Sequence, residues 1–179
     1  MTDDSELLAA LAMIQARGAI GERSLVNAVS HADRFVDLIP AGGRSLVDLG
    51  SGGGLPALVI AWRRADVTVT MVERRATRAD LLRRAVTSLG LGERTLVVNA
   101  DVAAVADKSP RVFDVVTARS FADVATTARF IHMLLAPEGV GLVSEPPMDR
   151  AEAWTSALAG LPELLDDGAY QGIRRLIRA

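Results

Sequence analysis

The stretch "SLVDLGSGGGLPALVIA", Ser45 to Ala61, decides the fold of this chain. An apolar run carries one acid, Asp48, then breaks into Gly50, Gly52, Gly53 and Gly54, a proline at 56 and a second apolar run. A β-rich segment that dissolves into glycines and restarts as an apolar helix reads as strand, tight turn and helix. Four glycines forgo side-chain packing and raise the entropic cost of folding. Such a turn is worth that cost where the backbone must lie directly against a ligand.

Outward from that turn the same rhythm repeats. The segments "VTVTMVE" (67–73), "TLVVNAD" (95–101), "FDVVTAR" (113–119) and "VGLVSE" (140–145) read as strands, and Leu55 to Arg63, Ala76 to Leu89, Phe121 to Leu135 and Asp149 to Leu161 read as helices. Strict alternation predicts the α/β class, a mostly parallel sheet with helices on both faces, and strands this apolar suit burial on both sides. The tail "GIRRLIRA" alternates apolar and basic positions and reads as a last, antiparallel strand. Upstream, Asp3, Asp4 and Ser5 offer caps to a helix with Leu7, Leu8, Leu11 and Ile14 on one face and Gly18 as its stop. A second helix is expected from about Glu22 to Ile39, with Leu25, Val29 and Val36 inward, ending before Pro40. At 179 residues, half of them hydrophobic, the chain can bury one sizeable core. The expectation is a single domain over 1–179, with helices over 1–40 and the sheet over 44–179.

Composition narrows the chemistry. The absence of cysteine excludes disulfides and thiolate chemistry, and with only two histidines no metal ion is expected. A net charge of −2 supplies no global positive field. The longest apolar run, Leu55 to Trp62, is too short to span a bilayer, and the acidic start "MTDDSELLAALAMIQARG" does not read as a secretory signal. The chain is expected to be cytoplasmic, monomeric and independent of membranes.

Parallel sheets bind ligands beyond the carboxyl ends of their strands. Those ends carry Asp48 with Gly50, then Glu73, Asp101, Arg119 and Glu145. Two cofactors suit the glycines. Gly52, Gly54 and Ala57 satisfy the dinucleotide spacing, with Glu73 at the distance of a ribose acceptor. Asp48, Gly50, Gly52 and Gly54 form the acid-plus-glycine loop expected for S-adenosylmethionine. A pyrophosphate wants free N–H groups at the helix start and no carboxylate nearby, whereas Asp48 brings an acid and Pro56 removes an N–H. Neither feature harms a ligand carrying an ammonium and a sulfonium. On that reading Glu73 accepts from two ribose hydroxyls, Asp101 accepts from the adenine amine, and the backbone at Val102 reads a ring nitrogen. Arg119, at the lip of an apolar strand, can pair with a cofactor carboxylate, a phosphate or a guanine O6, or else bridge to an edge acid.

With these residues in view, the chain resembles the bacterial small-subunit ribosomal RNA guanine-N7 methyltransferases, also called glucose-inhibited division protein B. The resemblance covers most of the chain. It rests on "LVDLGSGGGLPALVIA" with its proline, on "VERRATRADLLRRAVTSLGL", and on "FDVVTARSFADV" with its arginine. It implies a Rossmann-like class I S-adenosylmethionine-dependent methyltransferase fold behind a short N-terminal helical segment. It also implies cofactor contacts at Gly50, Leu55, the Val102 and Ala103 backbone and Arg119, with Glu73 at the ribose, and the small ribosomal subunit or its 16S rRNA as partner. The chain departs from the family's pattern in two places. Asn27, His31 and Asp33 stand only in approximate register with an N-terminal motif, and Ser144-Glu145-Pro146-Pro147 stands where lysine-glycine is usual.

Guanine N7 already offers a free lone pair, so such a reaction needs no general base, although His31 lies in a helix able to overhang the site. His132, beside Met133 and Leu134, reads as a packing residue. RNA contact falls to Arg74, Arg75 and Arg78, with Arg83 and Arg84 completing the densest basic cluster, on a helix whose Ala79, Leu82, Val86 and Leu89 point inward. Three functions stay open: the RNA methyltransferase, a same-fold methyltransferase of small molecules, and a cofactor-binding protein without catalysis.

Overall fold

The computed structural model describes residues 3–42, 44–148 and 150–179. Seven strands form one sheet: β1 (Arg44–Leu49), β2 (Val67–Val72), β3 (Thr95–Val98), β4 (Phe113–Ala118), β5 (Leu135–Ser144), β6 (Leu164–Tyr170) and β7 (Ile173–Arg178). Their order is β3-β2-β1-β4-β5-β7-β6. β1 to β5 run parallel, and β7 enters antiparallel between β5 and β6. The chain builds outward from β1 in one direction through β3, then returns to β4 and builds in the other. That reversal opens a crevice at the carboxyl ends of β1 and β4.

Successive strand residues point to opposite faces, and both faces are covered. Leu46, Val69 and Met71 pack under α1 (Ser5–Ala16), α2 (Leu25–Leu38), α3 (Ala57–Arg63) and α4 (Ala76–Ser88). Val47, Leu49, Val72 and Val116 pack under α5 (Val102–Lys108), α6 (Val124–Leu134) and α7 (Ala151–Leu158). Ala79, Leu82 and Val86 of α4 are buried as its periodicity demands, together with Leu89 just beyond it.

Several boundaries correct the sequence reading. α3 starts at Ala57, so Pro56 stands at its cap position and not inside its first turn. α6 starts at Val124 because the Asp123 carboxylate accepts from the Thr126 N–H at 2.8 Å, which leaves Phe121 outside the helix. α2 likewise starts at Leu25, capped by Ser24. The expected start of the last helix, Asp149, lies outside the described residues. Two elements were not anticipated. α5 has only seven residues, and β6, "LLDDGAY", gains its strand character from β7, whose Arg174 pairs with Asp166 at 2.5 Å and whose Arg175 pairs with Asp167.

The N-terminal helices serve the glycine turn. Arg63 of α3 binds Asp33 of α2 at 3.0 Å and the Asp4 carboxylate, which fixes α1 and α2 to the sheet body. Asp33 is therefore a tie between helices. Gln15 Nε2 donates to the Gly21 and Arg23 carbonyls at 2.8 and 3.0 Å, shaping the α1–α2 loop. Ile20 of that loop lies on Gly53, where a Cβ would come within 2.3 Å of Ile20 Cγ1 and 2.8 Å of the Ala19 carbonyl oxygen. Only glycine admits so close a crossing of two loops.

Candidate functional site

Asp48 is the penultimate residue of β1 and is 1% exposed. Its Oδ1 accepts from Thr117 Oγ1 at 2.6 Å, its register partner on β4, while Oδ2 has no hydrogen-bond partner among the described residues. Burial pushes the Asp48 carboxyl above its ordinary value. The Thr117 hydrogen bond and the charge of Arg119 pull in the opposite direction.

Arg119 follows β4 and is half-buried, with Nη1 buried and unpartnered. Burial lowers its pKa from the ordinary arginine value, repulsion from Arg23 adds to this, and Asp48 opposes it. No carboxylate among the described residues lies within ion-pair distance of Arg119. The edge therefore holds a carboxyl group and a guanidinium, each with an unsatisfied buried atom, close enough to feel one another. Ser120 then turns the chain with φ +51, a left-handed conformation that costs a non-glycine residue about 1–2 kcal/mol. The reversal folds Phe121 back over Gly50. Gly50 takes φ +64, and a Cβ there would stand 2.9 Å from the Phe121 ring. Neither Ser120 nor Phe121 was singled out from the sequence, although both lie in the segment "ARSFA" beside Arg119.

Glu73 follows β2 and is 5% exposed. Its Oε2 accepts from the Gly52 N–H at 2.9 Å and its Oε1 from the Arg75 N–H at 2.8 Å. The carboxylate thus binds the glycine turn to the start of α4. Each oxygen retains acceptor capacity for a hydroxyl, because an ionised carboxylate offers about four lone-pair sites. Asp101 caps α5, accepting from the Ala103 N–H at 2.9 Å through Oδ1, and lines the crevice. The Ala103 N–H is therefore engaged within the chain, whereas Val102 faces the cavity.

Three cavities join along this edge. One of about 340 Å³ is walled by Gly50, Glu73, Arg78, Asp101, Val102 and Phe121. A second, about 260 Å³, lies under the α1–α2 loop between Arg23, Gly52, Leu55 and Arg119. A third, about 200 Å³, runs from Phe121 to Glu145 and Arg150. Ser120 lines all three. Leu55 and the expected edge residues other than the buried Asp48 thus line these cavities, and Arg23 joins them from a loop distant in sequence.

His31 stands beside the cleft, with Nε2 3.1 Å from Ser144 Oγ. Burial lowers its pKa below 6.5, and the charges of Arg119, Arg34 and Arg23 lower it further, so the imidazole is neutral at pH 7. His132 packs at the other end of β5, 3.5 Å from Glu163. The basic cluster divides. Arg74, Arg75 and Arg78 line the 340 Å³ cavity, but Arg83 pairs with Asp80 at 2.7 Å and Arg84 faces α1. Among the described residues no group of three acidic or histidine side chains is placed to hold a metal, and no helix is long and apolar enough to cross a membrane.

Comparison with known proteins agrees with this geometry. The family model described as GidB, rRNA small subunit methyltransferase G, matches residues 9–156. A ribosomal RNA small subunit methyltransferase G of Salinispora arenicola is 40% identical over 135 residues, covering 69% of this chain and 54% of its own length. The chain spans about half the length of the curated relatives it matches. Among solved structures, a cofactor-bound protein Rv0187 from MTB shares 19% identity with a TM-score of 0.69, over 98% of this chain and 90% of that one. A predicted O-methyltransferase from Agrobacterium tumefaciens shares 18% identity with a TM-score of 0.67, over 83% and 80%. These likenesses establish the fold as the Rossmann-like class I methyltransferase sheet.

Proposed function

Because the chain belongs to the rRNA small subunit methyltransferase G family, we propose that it transfers a methyl group from S-adenosylmethionine to guanine N7 in small-subunit 16S rRNA. The observation that carries this reading is the pair of unsatisfied buried atoms, Asp48 Oδ2 and Arg119 Nη1, beside a glycine turn. A zwitterionic amino-acid group supplies the ammonium and carboxylate that such a pair lacks. Glu73 would accept from the ribose, and Val72, Val102 and Phe130 give the 340 Å³ cavity apolar walls for a purine. When bound, the cofactor supplies an activated methyl on a sulfonium. The chain's own residues align the acceptor and exclude water, since an in-line displacement on a free lone pair needs orientation more than a base. A neutral His31 is compatible with that economy.

Labelled S-adenosylmethionine and small ribosomal subunits lacking their own guanine-N7 mark test the proposal directly. A single N7-methylguanosine, identified by mass spectrometry, is the expected product. Absence of transfer to RNA at saturating cofactor would overturn it.

Two further outcomes are expected. Holding an ammonium requires Asp48 to be ionised, and its folded pKa is raised above 3.8. Cofactor affinity should therefore fall as pH is lowered, beginning at a higher pH than an exposed aspartate would allow. Calorimetric titration across pH should show this fall in the wild type and none in Asp48→Asn, whose baseline affinity is weak throughout. Arg74 and Arg75 are exposed at the rim of the cleft. If both touch phosphate, their joint replacement by alanine should lower the slope of log affinity for RNA against log salt by about 1–2, measured by filter binding.

A further inference from the structure

The third cavity is the one part of the cleft to which the proposed function assigns no residue. Ser120 and Phe121 line both it and the 340 Å³ cavity, whereas Glu145 and Arg150 line it and neither of the other two. Glu145 follows β5 and is held at two points. Its N–H donates to the Gly172 carbonyl at 2.8 Å, and its Oε1 accepts from Trp154 Nε1 at 2.9 Å. Trp154 is 0% exposed and carries the Arg174 guanidinium 5.5 Å from its ring centroid, so the anchor is rigid. Oε2 accepts no hydrogen bond among the described residues, and Arg150 forms no ion pair with it. A carboxylate oriented by a buried indole is thus presented to a small slot beside an aromatic side chain.

Such a group selects donors. Guanine is the RNA base whose Watson–Crick edge sets two of them side by side, N1–H and the N2 amine. Adenine and cytosine place a ring acceptor beside their single amine, and uracil flanks N3–H with carbonyl oxygens that a carboxylate repels. N7 lies on the opposite side of the purine from N1 and N2. A guanine with its Watson–Crick edge on Glu145 therefore turns N7 away from Glu145, toward the Ser120–Phe121 end of the cavity. We infer that Glu145 is the residue that reads the acceptor base, by accepting from guanine N1–H and N2–H. The inference rests on the proposed function. It gives a physical role to an acid where the family resemblance leads one to expect lysine, since a carboxylate and an ammonium read opposite polarities.

The test uses small subunits reconstituted with 16S rRNA in which the methylated guanosine, first located with unsubstituted RNA, is replaced by inosine. Inosine keeps N1–H and lacks the N2 amine. The wild type should prefer guanosine by about 10- to 100-fold in kcat/KM, the range of one hydrogen bond to a charged group. Glu145→Gln keeps the oxygen that Trp154 needs but turns an amine toward the base. Its activity on guanosine should fall and its preference should collapse severalfold or more, with cofactor affinity unchanged. Any intrinsic difference in N7 reactivity is common to both proteins and cancels from the comparison. A wild type that treats the two RNAs alike, or a preference that Glu145→Gln leaves intact, would overturn the inference and leave the methyltransferase reading standing. No transfer to either RNA by cofactor-bound wild type would remove both.

Discussion

Replacing Glu73 by alanine should cost this protein its cofactor and part of its fold together. Cofactor affinity should fall by about 10- to 100-fold, the range for charge-assisted hydrogen bonds to a ribose. Stability should fall as well, because the same carboxylate holds the Gly52 and Arg75 N–H groups. Arg75 is exposed and Gly52 half-buried, so water recovers part of the loss. About 1–2 kcal/mol remains, or roughly 2–8 °C in Tm for a chain of this size. Calorimetric titration and thermal unfolding read the two effects separately. Glu73→Gln sharpens the comparison, because one amide oxygen can still serve one of the two N–H groups while the amine opposes the other. A drop in Tm with unchanged cofactor affinity would leave Glu73 as a tie between β2 and the glycine turn and nothing more.

Arg119→Ala should have the opposite profile. Methyl transfer should fall by about 10- to 100-fold in kcat/KM, while Tm stays within about 2 °C of the wild type or rises. The asymmetry follows from the buried Nη1, which has no hydrogen-bond partner to lose and carries a desolvation cost that alanine removes. Loss of its attraction to Asp48 offsets part of that gain. Arg119→Lys keeps the charge and loses the planar fork, so partial activity is expected if the partner is a carboxylate or phosphate. Intact activity in the alanine variant would make Arg119 a structural residue, contrary to its geometry.

Much of this site was legible because strand ends are legible. Apolar runs that stop at an acid or an arginine located Asp48, Glu73, Arg119 and Glu145 within one residue of their strand ends and Asp101 three beyond its own. Phe121 was drawn into a helix because nothing local reveals that Asp123 caps it or that Ser120 adopts a positive φ. The five arginines near α4 read as one cluster because periodicity does not say which of them faces the cleft. Local sequence conceals α5 and β6 for different reasons. The first is too short to show a period, and the second needs the arginines of β7 to offset its own acids.

The sequence by itself determined the β–α order, the glycine turn and the residues carried to the carboxyl edge, because strand propensity, helical period and turn chemistry act over a few neighbouring residues. Only the tertiary structure decided what those residues do. It paired Asp48 with Thr117, 69 positions away, gave both oxygens of Glu73 to backbone N–H groups, laid Ile20 on Gly53, and fixed Glu145 to a buried tryptophan. Each depends on the distance between segments remote in the chain, and packing, not local propensity, sets that distance.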